Sequence, residues 1–378
     1  MWRNKYILTA LLLCIISLAS FGIVKAGSIS TAQEGDFVVM TSFYPMYIAT
    51  MNITDGVNGV EVKNLTNNAT GCLHDYQLST KDLKQLDKAD MLIVNGGGME
   101  SFLEDVYSQY GNLTVVTATD GVNLLASTDG HEHSHADAHD EDEHDNSEHT
   151  DESTHDADVH GNSEYAEGLL TDESTHDADA HDESEHTDAD IHDADEHDSH
   201  DHGEYNAHSW IDISLYIKEV ENIADALIEN NPENASYYTE NLNKYKEKLQ
   251  RMLDETNEIK EAVSNNRKSA DGVVVFHEAF DYLEDSLNLN ITETINMDDN
   301  SVLSAAQIGD IIDDVNSGNV KYILADETYG KAAAEAVKKE CDVKVIYIDP
   351  LTSGESDKDA YVDGMHKNLE LLKEAFTQ

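Results

Sequence analysis

From Asp129 to Glu204 the chain consists almost entirely of His, Asp, Glu, Ser, Thr, Ala and Gly, and this tract cuts a 378-residue sequence in two. It holds 15 His and 30 acidic residues, and no Lys or Arg occurs between Lys88 and Lys218. The nonapeptide TDESTHDAD occurs twice, at Thr150–Asp158 and Thr171–Asp179, as duplication within a low-complexity tract produces. Too few apolar side chains are present to offset the entropy of ordering, so the composition predicts a disordered loop. Imidazole is the informative part. An acidic spacer needs none, whereas many exposed His supply weak, exchangeable ligands for zinc, copper or nickel. The tract reads as a metal-capture loop.

The formal charge is −54, of which the tract carries −30 and the remainder of the chain −24. Such a surface argues against nucleic acid or an anionic membrane as partner and suits a protein that attracts cations. Residues 1–26 have Arg3 and Lys5 ahead of an apolar stretch from Ile7 to Val24, with small residues at Ala26 and Gly27. This is an export signal, and its apolar stretch is nearly long enough to stay in a bilayer as an anchor. Export also agrees with six Asn-x-Ser/Thr sequons, at Asn52, Asn64, Asn68, Asn112, Asn234 and Asn290. Cys14 lacks the small residue expected before a lipid-modified cysteine. Cys72 and Cys341 are too few and too far apart for a disulfide framework and are expected as unpaired thiols.

After a linker at 27–35, short apolar runs alternate with helical spacing through 36–128. FVVMTS, VEVKNL, MLIVNGGG and LTVVTAT read as strands, with helices at YPMYIATMNI, after Ser79 and over MESFLEDVYSQY. Past the 129–204 loop, 205–231 is a helix completing this lobe. Residues 232–267 form one long helix with Pro232 at its start, on the order of 45 Å at 1.5 Å per residue. From 268 to 378 the alternation resumes, with Ser304 and Gln307 as a capping box. The fold expected is α/β: two lobes, each a mainly parallel sheet flanked by helices, joined by a long rigid helix.

Outside the loop only four histidines remain: His74, His208, His277 and His366. The first three fall at strand exits or helix starts, where α/β folds place ligands; His366 reads as a surface residue. KYILADETYG brings Asp326 and Glu327 to another strand exit. Three imidazoles and one carboxylate make the tetrahedral set that zinc accepts, whereas manganese prefers more oxygen. Asp75, Asp212 and Glu278 lie close in sequence as acceptors able to fix the imidazole tautomers.

The segments TSFYPMYIATMNI, LHDYQLSTKDLKQLDKADMLIVNGGGMESFL, HSWIDISLY, VVVFHEAFDYL and SAAQIGDIIDDV together resemble the zinc/manganese solute-binding proteins of ABC importers, the cluster A-I type. The similarity covers 36–128 and 205–378 and is strongest to the zinc branch, whose members often carry a His-rich loop between the first two ligand histidines. It implies that His74, His208 and His277 bind zinc, the transported ligand, with manganese less favoured. The fourth ligand falls at ADETYG, with Glu327 favoured over Asp326. It also implies a membrane permease and its ATPase subunit as partners, an extracytoplasmic monomer, and limited lobe closure about the long helix. Leu73 stands where the family usually has Pro, and Cys72 beside it offers sulfur to a soft metal.

Two other classes fit the same residues less well. A metallohydrolase needs an open metal position and a general base. HEAFD has Asp281 where H-E-x-x-H requires its second His, and no G-x-S-x-G or Walker A motif occurs. The chain reads as no enzyme. A passive surface metal buffer, with the loop as its whole function, is the remaining alternative.

Overall fold

Two four-stranded parallel sheets carry the fold, and the central strands of each are buried on both faces. The computed structural model describes residues 36–68, 71, 73, 76–103, 106, 110–111, 113–127, 204–266, 271–297 and 302–377. The expected export signal and linker, Cys72, His74, Asp75, the Asn112 sequon and the loop through residue 203 lie outside the described residues. No helix among the described residues is long and apolar enough to cross a membrane.

In the N-terminal lobe the strands are β1 (Phe37–Thr41), β2 (Val60–Asn64), β3 (Met91–Val94) and β4 (Thr114–Thr117), in the order β2-β1-β3-β4. Helices α1 (Tyr44–Ile53) and α2 (Thr80–Leu86) link them. Alternate residues point to opposite faces of a strand, and here both faces are apolar. Val39 and Ile93 enter the main core, while Met40, Leu92 and Val94 pack with Leu65 and Leu86 on the other side. Ser79 and Asp82 close α2 with a capping box, which satisfies two orphan donors of its first turn.

The helix expected over Met99–Tyr110 begins as a 3-10 turn at Ser101–Leu103 and is α-helical at Val106, the remainder of 104–109 lying outside the described residues. Glu100 stands just before that turn. Its buried carboxylate accepts from the Ser42 hydroxyl and from the backbone N–H groups of Asn95 and Gly96. It clamps the glycine loop after β3 instead of facing outward from a helix.

The C-terminal lobe has β7 (Gly272–Val275), β8 (Asn290–Thr294), β9 (Val320–Ala325) and β10 (Lys344–Tyr347), ordered β10-β9-β7-β8. Between them run a 3-10 turn at Glu278–Asp281, α5 (Tyr282–Leu287), α6 (Ala305–Ser317) and α7 (Lys331–Glu340). Val273 and Val275 share the main core with the N-terminal sheet, and Val274 and Phe276 face a separate one.

Helix α3 (Ile213–Asn230) leads through a 3-10 turn at Pro232–Asn234 into α4 (Ala235–Ser264). Helix α4 packs against α1 and α3 on one lobe and against α5 on the other. Its Tyr238 and Tyr245 are core residues. The C-terminal helix α8 (Ala360–Thr377) is not confined to the second lobe: it lies along α4 and reaches α1. Tyr361 stacks on Tyr216 of α3 with 4.0 Å between ring centroids. Before that helix the chain crosses at Leu351, whose φ of 60° is a left-handed conformation that leucine seldom takes.

Candidate metal centre

The ends of two parallel strands and one two-residue ribbon build the site. Strands β5 (Leu125–Ala126) and β6 (Tyr205–Asn206) pair antiparallel, with Leu125 opposite Asn206 and Ala126 opposite Tyr205. They form the two roots of the His-rich tract. The ribbon rests on the glycine loop after β3. Gly97 has φ +66°, and a Cβ there would stand 2.7 Å from Leu124 and 3.3 Å from Ala207, so only glycine allows the approach. Asn95 Nδ2 donates to the Ala207 carbonyl at 2.9 Å. The next residue is His208.

His208 is fully buried, and His277 nearly so at 4% exposure. Their rings meet edge to face, with centroids 4.8 Å apart. One belongs to the N-terminal lobe and the other follows β7 of the C-terminal lobe. Trp210 stands 5.1 Å from the His208 ring and donates its indole N–H to the Pro350 carbonyl at 2.8 Å.

The two imidazoles are held differently. His208 Nδ1 lies 3.0 Å from Asn206 Oδ1 and 3.6 Å from Glu278 Oε1. Only the first distance is a hydrogen bond. An amide oxygen only accepts, so His208 carries a proton on Nδ1. His277 Nδ1 instead accepts the Ala279 N–H at 3.0 Å and caps the 3-10 turn. A cation binding His277 either displaces that N–H from Nδ1 or requires the ring to turn.

Asp326 and Glu327 part company at the exit of β9. Asp326 is 1% exposed. Its Oδ1 accepts from the N–H groups of Thr328 and Tyr329, and its Oδ2 is buried with no hydrogen-bond partner. Burial pushes its carboxyl pKa up, against the lowering effect of those two N–H groups. Glu327 has a 71% exposed side chain, 3.8 Å from the Lys331 ammonium. A cavity of about 620 Å³ opens at this strand exit, lined by Asp326, Tyr347, Asp349 and Lys367 among others.

The loop bearing His74 is described only at its flanks. Leu73 is buried, and a Cβ on Gly71 would stand 2.2 Å from the Tyr329 hydroxyl. The flank of that loop therefore touches the turn that carries Asp326. Among the described residues no three His, Cys, Asp or Glu side chains converge on one point. The described site brings His208 and His277 together and does not group Asp326 with them.

Two sequence expectations read differently here. Asp212 does not hold His208: its Oδ1 caps α3, accepting from Ser214 and Leu215 N–H. Glu278 approaches the ring of His208 rather than that of its neighbour His277. Asn206, which does hold His208, went unread; an Asn two positions before a His has no local signature, because its partners come from the other lobe. His366 is a surface residue beside Glu255, 3.1 Å away, and Cys341 is a free thiol.

Paired parallel α/β sheets with two buried imidazoles meeting between them define a two-lobed α/β fold. The sequence matches the family described as zinc-uptake complex component A, periplasmic, over residues 39–375, and the chain belongs to that family. This is a family of uptake components and not of enzymes. The zinc-binding protein AdcA of Streptococcus pyogenes serotype M3 is 26% identical over 347 residues, which are 90% of this chain and 56% of that protein. The chain thus spans little more than half the length of the first curated relatives it matches. The high-affinity zinc uptake system protein ZnuA of Bacillus subtilis is 22% identical over 382 aligned positions, covering 99% of this chain and 97% of that one. Among solved structures, the Zn(II)-bound ZnuA-like domain of Streptococcus pneumoniae AdcA superposes with a TM-score of 0.61 at 22% identity, over 91% of this chain and all of that one. FpvC of Pseudomonas aeruginosa in complex with Ni2+ gives 0.61 at 20% identity, over 90% and 97%. These likenesses establish the shared fold.

Proposed function

We propose that this chain is the extracytoplasmic solute-binding component of an ABC importer, which takes Zn²⁺ between its lobes and delivers it to a membrane permease driven by an ATPase subunit. The observation that carries the reading is the meeting of His208 and His277, two buried imidazoles from different lobes with ring centroids 4.8 Å apart. Two buried imidazoles meeting across the lobe boundary fit a site that uses them.

The donor set proposed is His74, His208, His277 and Asp326. Asp326 replaces Glu327 because its buried Oδ2 has no hydrogen-bond partner, which is where a cation compensates the cost of burial. Glu327 points to solvent. His74 enters on the strength of its flank, since Gly71 lies against Tyr329. Three neutral imidazoles with one carboxylate suit zinc better than manganese, which favours oxygen. Calorimetric titration of the protein with Zn²⁺ and Mn²⁺, beside His208→Ala and His277→Ala, tests the reading. One tight zinc site lost in both variants supports it. Tight binding unchanged in both contradicts it and leaves a buffer acting through the His-rich tract.

A further inference from the structure

Asn206 is fully buried and places both ends of its side-chain amide and its carbonyl at the seam between the lobes. Its Oδ1 accepts from the His208 backbone N–H at 3.1 Å and lies 3.0 Å from His208 Nδ1. Its Nδ2 donates to the Glu278 carbonyl at 2.7 Å, and its own carbonyl accepts from the Tyr282 hydroxyl at 2.6 Å. That same hydroxyl accepts from Leu125 N–H at 3.2 Å. The phenol of Tyr282 therefore bridges both roots of the His-rich tract, β5 and β6.

The amide orientation follows from these partners. The Glu278 carbonyl oxygen requires a donor, so Nδ2 faces it; the His208 N–H requires an acceptor, so Oδ1 faces the histidine. With Oδ1 also on the ring, His208 must be a donor at Nδ1. Had the amide been turned, two acceptors would meet at Glu278 and two donors at His208. The tautomer is fixed by the second lobe.

We infer that Asn206 is a positioning residue for metal capture, holding His208 as the Nδ1–H tautomer and tying it, through Glu278 and Tyr282, to the lobe that supplies His277. The inference rests on the reading of His208 as a zinc ligand. Groups that orient a ligating imidazole set its tautomer and basicity, and their loss typically costs about 10- to 100-fold in metal affinity. Asn206 does this while also closing the base of the tract, so the roots of the tract and the imidazole move as one unit.

The test uses the full chain with Asn206→Ala, Asn206→Asp and His208→Ala. Nitrogen NMR of the His208 ring, recorded with chelator present, reports the tautomer; transfer of zinc to a chelator reports release. In the parent His208 is expected protonated at Nδ1 only. Asn206→Ala is expected to average the two ring nitrogens and to speed release about 10- to 100-fold. Asn206→Asp keeps the acceptor facing the ring but loses the Nδ2 donor to the Glu278 carbonyl, so the Nδ1–H pattern is expected to persist while release speeds up relative to the parent. A role in folding alone would lower stability in both variants without moving the ring signals. If Asn206→Ala does not fold, Asn206→Asp carries the test, and loss of the Nδ1–H pattern in it overturns the inference. Asn206→Ala with the parent's ring pattern and release rate also overturns it. If His208→Ala binds zinc like its parent, the receptor reading falls instead, and the inference with it.

Discussion

Asp326 and Glu327 are adjacent in sequence and face opposite ways: the first turns its unpartnered Oδ2 into the interior, and the second lies in solvent beside Lys331. The turn after β9 decides this. Oδ1 of Asp326 accepts from Thr328 and Tyr329 N–H, which locks the aspartate inward, as short acidic side chains do at turns. Asp326→Ala is therefore expected to weaken zinc binding by at least 10-fold, and Glu327→Ala by less than 2-fold, in competition titrations with a chromophoric chelator. The reverse order would return the fourth position to Glu327.

The pairing of β5 with β6 bears on the His-rich tract. Ser127 N–H donates to the Glu204 carbonyl at 3.2 Å, so residues 127 and 204 stand as hairpin neighbours. Replacing 128–203 by Asn-Gly supplies the turn such a ribbon prefers. The shortened protein is expected to fold with its tight zinc site intact and to lose only weak, multiple sites, as read by calorimetric stoichiometry. Loss of the tight site would make the tract the principal ligand.

Much of this fold was legible in the sequence. FVVM, MLIV and VVVF are strands buried on both faces, and a parallel sheet demands such runs. The capping boxes at Ser79 and Ser304 were local signals, and the second of them was read correctly. His277 announced itself by closing an apolar strand. What could not be read was tertiary. Asn206 and Tyr282 acquire their roles only when the lobes meet. Glu100 gains its buried role only when Ser42 and the glycine loop bring their donors to it. Helix α8 crosses toward the first lobe because Tyr361 finds a stacking partner in Tyr216.

Glu219 gives a pH dependence that does not involve metal. It is fully buried on α3, and its Oε1 accepts from the Ser209 hydroxyl at 2.6 Å. Burial first, then the nearby charge of Asp212, raises its pKa to about 7 against the counteracting Ser209 hydrogen bond. A folded-state pKa above the unfolded one means the folded state binds the extra proton, so stability is fully present below about pH 4.5 and falls as pH rises through about 7. The loss is on the order of 3 kcal/mol, from about 1.4 kcal/mol per pKa unit. Urea unfolding with chelator present, from pH 5 to 8, is expected to show this decline in the parent and to lose most of it in Glu219→Gln. Parallel curves for the two proteins would contradict it.

Trp210 joins the lobes through its indole N–H, which donates to the Pro350 carbonyl, while Phe43 packs edge-on at 5.1 Å. Trp210→Phe keeps most of the apolar contact and leaves that carbonyl without its donor. Losing this hydrogen bond at a half-buried acceptor costs about 0.5–1.5 kcal/mol, to be read from urea unfolding. A change below about 0.5 kcal/mol would mean that the contact contributes nothing to stability.

The most direct measurement is an anomalous-scattering map at the zinc edge from crystals of the zinc-loaded protein with 128–203 replaced by Asn-Gly. A single strong peak is expected within about 2.0–2.2 Å of a ring nitrogen of both His208 and His277 and of a carboxylate oxygen of Asp326. A zinc peak bound elsewhere, with the Asn206–His208 and Ala279–His277 hydrogen bonds unchanged and no metal between the two rings, would contradict a receptor built from both lobes.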